Sequence, residues 1–126
     1  QFIKMLKKKN ITKLNPSILI LGFAFKENFD DIRNTKIYDL YSELIDYGCK
    51  VDIYDPIVSK KDCKQQYSVD IINKPLHAHY DGIIIALKHN IFQKIGILKI
   101  KKWLKHKNVI YDLKYLFDEK YVDSRI

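Results

Sequence analysis

Glycine is scarce in this sequence, with four in 126 residues, and only Gly22 stands in the loop that follows the first apolar run. A loop that poor in glycine lacks the GxGxxG turn of dinucleotide folds and the cradle of phosphate-binding loops, so an anion held there would be gripped by side chains. Cysteine is scarce too. Cys49 and Cys63 lie 14 residues apart with no CxxC pair and no His pair at zinc spacing, which argues against a disulfide framework and fits a reducing compartment, the cytoplasm. Apolar runs such as Ile83-Ile84-Ile85-Ala86-Leu87 are far too short to cross a bilayer. Pro/Gly/Ser-rich linkers, repeats and low-complexity tracts are missing, so nothing divides the chain and one domain is expected. Arginine is reduced to Arg33 and Arg125, the other 21 basic residues being lysine.

What is present is apolar matter and positive charge. Hydrophobic residues make up 47% of the chain, enough for one core in a domain of this size. The net charge of +8 invites a nucleic-acid reading, because lysine supplies sequence-independent affinity for phosphate. The lysines are scattered, however, and the densest group, Lys99 to Lys107, reads as the solvated face of a helix. A chain that starts at Gln1 without Met and in mid-pattern is expected to be a piece of a longer protein, with residues 1–13 ending a linking helix and 14–126 forming the domain.

Along that domain strands and helices alternate. Ser17 to Gly22 reads as a buried strand. A helix capped by Asn34 or Thr35 follows, with Ile37, Leu40, Tyr41, Leu44 and Ile45 at helical spacing and Gly48 as its terminator. Residues 50–54 form a strand that Asp55-Pro56 ends. Then come a polar helix over 59–66, a short strand over 69–72, an apolar strand over 82–87, a helix over 90–104 broken by Gly96, and a last strand over 108–112. The expected fold is therefore α/β, a Rossmann-like, doubly wound and mainly parallel sheet of about five or six strands with helices on both faces.

In such a sheet ligands bind at the carboxyl ends of the strands, where the strand order reverses. Lys26 follows the first strand there and suits a diphosphate. Arg33, beside a helix start, offers a fixed fork for phosphate or carboxylate, or pairs with Asp30 or Asp31. Lys114 follows the last strand and could converge with Lys26 on one anionic group. Asp55 ends the second strand, where an acid accepts from a ribose hydroxyl or merely shapes its turn. His89, on the same edge, faces a ligand, caps a helix or faces solvent. Neither cysteine sits like a nucleophile, and no Ser/His/Asp set, metal-ligand spacing or carboxylate pair can be assembled.

The run Ile20-Leu21-Gly22-Phe23-Ala24-Phe25-Lys26-Glu27-Asn28 with Asp31-Ile32-Arg33-Asn34-Thr35-Lys36 resembles the C-terminal UDP-binding domain of the UDP-glucose/GDP-mannose dehydrogenase family. Leu44 to Gly48, Val51 to Pro56, Tyr80 to Ile84 and Val109 to Lys114 follow in the family's order. The resemblance implies a full-length NAD-dependent UDP-sugar 6-dehydrogenase that makes a UDP-uronic acid for surface polysaccharide such as capsule or lipopolysaccharide. Phe-Lys-Glu-Asn with Arg-Asn-Thr-Lys points to the UDP-N-acetylhexosamine branch. By position it assigns Phe25, Lys26 and Lys114 to the UDP-sugar and Arg33 to the NAD of a neighbouring subunit, with a homo-oligomer, a dimer, as the full-length state. The catalytic cysteine and the main NAD site of such enzymes fall outside these residues, so this chain alone should bind without turnover. Two other readings stay open: a basic module for nucleic acid or an acidic partner using residues 99–107, and a stand-alone nucleotide-sensing domain.

Overall fold

Ile18 to Leu21 and Tyr80 to Ile85 carry no charge apart from Asp81, and they form the two middle strands of the computed structural model, which describes residues 2–9, 11 and 14–125. Four strands, β1 (Ser17–Leu21), β2 (Lys50–Tyr54), β3 (Tyr80–Ile85) and β4 (Leu104–Asp112), pair in parallel in the order β2-β1-β3-β4. Strand side chains alternate between faces, so an unbroken apolar strand needs cover on both. On one face Ile18, Ile20, Ile84 and Tyr111 pack under α1 (Phe2–Lys8), α2 (Ile37–Asp46) and α3 (Lys60–Tyr67). On the other, Leu19, Leu21, Ile83, Ile85 and Ile110 pack under α4 (Asn90–Ile95) and α5 (Ile97–Lys101). Because β2 and β3 flank β1 on opposite sides, the loop after β1 lies in a crevice between the loops that follow its two neighbours.

Local chemistry sets the elements. Thr35 accepts from the Ile37 amide through its hydroxyl at 3.2 Å, so α2 starts there although Lys36 is its N-cap residue. Gly48, at φ +90°, ends the helix, its amide and that of Cys49 returning to Ile45 and Leu44. The absent side chain of Gly82 makes room for a neighbour: a Cβ there would overlap the Phe2 ring, which stacks on Tyr111 and so seats α1 against β3 and β4. No described helix is long and apolar enough to cross a membrane.

Three expectations need correction. The strand expected at 69–72 is one bridge, Ile71 to Ile53, and the sheet has four strands rather than five or six. Left-handed Ser68 on one side and Pro75 on the other leave too little extended chain to build a ladder there. The helix expected over 90–104 does break at Gly96, φ +84°, into α4 and α5, but it ends at Lys101, and Leu104 already belongs to β4. Lys99 and Lys101 belong to α5, but Lys105, His106 and Lys107 lie on β4, so the lysine group is no single helix face. That part of β4 bulges between the Tyr80–Leu104 and Gly82–Val109 pairs, and the Asn108 amide closes the bulge on the Lys105 and His106 carbonyls. Of the expected linking segment 1–13, residues 1, 10, 12 and 13 lie outside the described ones.

Candidate functional site

Asp55 leaves the end of β2 and turns inward. Only 2% exposed, it accepts through Oδ2 from the amides of Phe23 (2.7 Å) and Ala24 (3.2 Å) and from His89 Nε2 (3.0 Å), and through Oδ1 from the Ile57 amide (3.0 Å). Burial alone would push this carboxyl up, but the bonds from His89, Phe23 and Ile57 outweigh it and hold it below its ordinary range. The turn-shaping role is the one the structure shows for Asp55. Both its oxygens are engaged within the protein and it is buried, which turns it away from a ribose.

His89 corrects the expectation of a capping or solvent-facing ring: it is fully buried and caps nothing with its side chain. Its Nδ1 accepts from the Asn28 amide at 2.8 Å, so the proton resides on Nε2 and goes to Asp55. Asn28 in turn accepts from the Asn90 amide through Oδ1 at 2.9 Å while its backbone sits at φ +63°, a left-handed conformation that asparagine tolerates. The loops after β1, β2 and β3 are thus tied by one chain of polar contacts that runs from buried Asp55 and His89 out to Asn28 and Asn90 at the surface.

The rest of the β1 loop is stitched just as closely. The Phe25 amide donates to the Asp31 carbonyl (2.7 Å), the Phe29 amide to the Lys26 carbonyl (3.4 Å) and the Tyr67 hydroxyl to the Ile32 carbonyl (2.6 Å). Exposed on this frame are Phe25 and Phe29, each 52% accessible, and Lys26, whose Nζ lies 4.4 Å from the centre of the Phe29 ring. A cation over a ring face keeps its charge available to an incoming anion.

Lys114 approaches from the other side. Buried Asp112 ends β4 and accepts from the amides of Lys114 (3.1 Å) and Phe117 (2.9 Å), shaping that turn. The Lys114 ammonium is 3.8 Å from Glu27 Oε1, so the structure brings it to the loop that carries Lys26, beside the residue next to it. Arg33 is engaged elsewhere: its Nε and Nη2 make a two-pronged contact with Asp31 at 3.1 and 2.9 Å, in a shallow cleft that also contains Asp30 and Asp62. The Arg33 hydrogen bonds hold the Asp31 carboxyl at about 2 and raise the guanidinium in return.

The cysteines lie in the core. Burial, with help from Asp55 and Asp62, pushes the Cys63 thiol up to about 11, and burial raises Cys49 as well. Alkylation of the folded chain by iodoacetamide at pH 8 is therefore expected to run at least about 100-fold slower than for an open cysteine, and to reach the open rate in denaturant. Labelling of either residue at the open rate without denaturant would contradict this placement.

Asp112, Asn28 and His89 are the residues that sequence reasoning undervalued. A signal existed: His89 follows the apolar run of β3 as Asp55 follows β2, and both strands flank β1, so their tips must meet over its loop.

Comparison with known proteins adds the following. The family model described as UDP-glucose/GDP-mannose dehydrogenase family, UDP binding domain, matches residues 19–119. Among curated relatives, UDP-N-acetyl-D-glucosamine 6-dehydrogenase of Salmonella typhi is 44% identical and that of Pseudomonas aeruginosa 41% identical, each over 100% of this chain. The chain spans 30% of the length of each. A solved structure of UDP-D-ManNAc dehydrogenase from Pyrococcus horikoshii superposes with a TM-score of 0.78 at 23% identity, covering 98% of this chain and 28% of that one, a likeness of fold.

Proposed function

The chain belongs to the UDP-glucose/GDP-mannose dehydrogenase family, to its UDP binding domain, and from that we propose that it is the nucleotide-holding part of an NAD-dependent UDP-sugar 6-dehydrogenase. The observation that carries the reading is the stitched β1 loop at the point where strand order reverses, lying inside the matched residues and presenting Lys26 and Phe25 outward. Lys26 supplies charge to the diphosphate, Phe25 an aromatic wall, and Lys114 a second cation from the β4 turn. The relatives' names support a UDP-N-acetylhexosamine as substrate, hence a UDP-uronic acid for surface polysaccharide as product.

NAD does not fit this crevice in the manner of dinucleotide folds. The loop holds one glycine, and the acid at the ribose position has its oxygens occupied by three amides and a histidine. The longer protein would hold NAD in another domain, and Arg33 would reach it across a subunit boundary in a homodimer by exchanging its contact with Asp31. A biosynthetic enzyme with a free-thiol core belongs in the cytoplasm. Neither the family match nor the relatives named above favours the nucleic-acid reading of residues 99–107.

Titration with UDP tests this proposal. Removing a charge-assisted contact worth about 1.5–3 kcal/mol, Lys26→Ala is expected to weaken UDP binding about 10- to 100-fold without moving the thermal midpoint. A wild-type chain indifferent to UDP, or a variant of equal affinity, would refute it.

A further inference from the structure

We propose that His89 is a positioning residue for nucleotide binding: its Nδ1 lone pair, by accepting from the Asn28 amide, fixes the loop that presents Lys26 and Phe25. This rests on the UDP-binding reading given above. The two ring nitrogens of His89 do separable work. Nε2 donates to Asp55, which is anchored to the amides of Phe23, Ala24 and Ile57, so that bond belongs to the interior. Nδ1 reaches out of the interior to Asn28, two residues after Lys26. The same asparagine receives the Asn90 amide at 2.9 Å, so the β1 loop is clamped to the loop after β3 and to the first residue of α4 by two bonds.

The clamp matters because the other tie within that stretch, from the Phe29 amide to the Lys26 carbonyl, is long at 3.4 Å. From Lys26 to Asn28, the Asn28 amide to His89 is the backbone donor with a buried partner, and the side chains of Lys26 and Glu27 face Phe29 and Lys114 at the surface. An ammonium on an unclamped loop loses freedom on every binding event. One held in place beforehand does not, and the difference appears as affinity.

Two amide substitutions divide the roles. Asparagine at 89 places Oδ1 close to where Nδ1 sits and can accept from Asn28, but it cannot reach Asp55. Glutamine places an NH2 near the Nε2 position and can donate to Asp55, but it offers Asn28 no acceptor. His89→Asn is therefore expected to lower the urea midpoint yet bind UDP within about threefold of wild type. His89→Gln is expected to stay nearer wild type in stability and bind UDP about 10-fold more weakly, the factor for one lost hydrogen bond. A purely structural histidine would make affinity follow stability in both variants, and that pattern would overturn the proposal.

Should either variant fail to fold, the unmodified chain decides by hydrogen exchange. The Asn28 amide is expected to exchange at least 100-fold more slowly than an open-loop amide and to slow further as UDP is added. Exchange at the open-loop rate would overturn the clamp. UDP binding by wild type and its loss in Lys26→Ala serve as the reference. If wild type does not bind UDP, the functional reading falls. If it binds, and His89→Gln binds equally, only the clamp falls.

Discussion

Asp55→Ala is expected to destabilise the chain by about 3–5 kcal/mol at pH 7, the cost of leaving its buried donors without an acceptor. Three backbone amides and His89 Nε2 lose their acceptor at once, around a side chain that is only 2% exposed. Asp55→Asn does not rescue, since its NH2 would face amides that are donors themselves. The pH dependence has a definite sign. The folded-state carboxyl titrates below its unfolded value of about 4, so its contribution is complete above that value and is lost as pH falls through the folded-state one. Urea denaturation at pH 7 and at pH 3 checks both statements: the gap between wild type and Asp55→Ala should shrink in acid. A gap under 1 kcal/mol at pH 7, or one that widens in acid, would show that the carboxylate is not the tie described.

Gly22→Ala is the second large effect, about 2–4 kcal/mol, and it strikes the same crevice. Gly22 sits at φ +106°, which an L side chain resists, and a Cβ there would lie 2.7 Å from Leu87 Cβ. Because the obstructing atom is itself a Cβ, trimming Leu87 to alanine cannot relieve the overlap. The double variant should be no more stable than Gly22→Ala. A thermal midpoint lowered by about 10 °C is the expected reading. UDP affinity should fall with it, since the Gly22 amide bonds to the Tyr54 carbonyl at the root of the loop. A variant within 2 °C of wild type, or recovery in the double variant, would contradict the geometry.

How much of this was legible in the sequence depended on whether a feature is periodic. The apolar run of β1, the helical spacing from Ile37 to Leu44 and the Asp55-Pro56 stop are local patterns, and the structure has elements at each. The lysine group misled because β4 is an edge strand whose first half bulges, so Lys105, His106 and Lys107 meet no rule of alternation. The buried partnership of Asp55 with His89 was hidden for a different reason. The two stand 34 residues apart, and only the strand order joins them. Arg33 was legible as a fork with Asp31 among its possible occupants, and the choice stayed open because a carboxylate two residues away competes with any ligand on equal chemical terms.

The ring of Phe2, lodged where Gly82 has no side chain, anchors the first helix on the sheet. That contact lies in the middle of the sheet rather than at its rim, because Gly82 belongs to a strand paired on both sides. A side chain at position 82 would therefore unseat the first helix from the sheet.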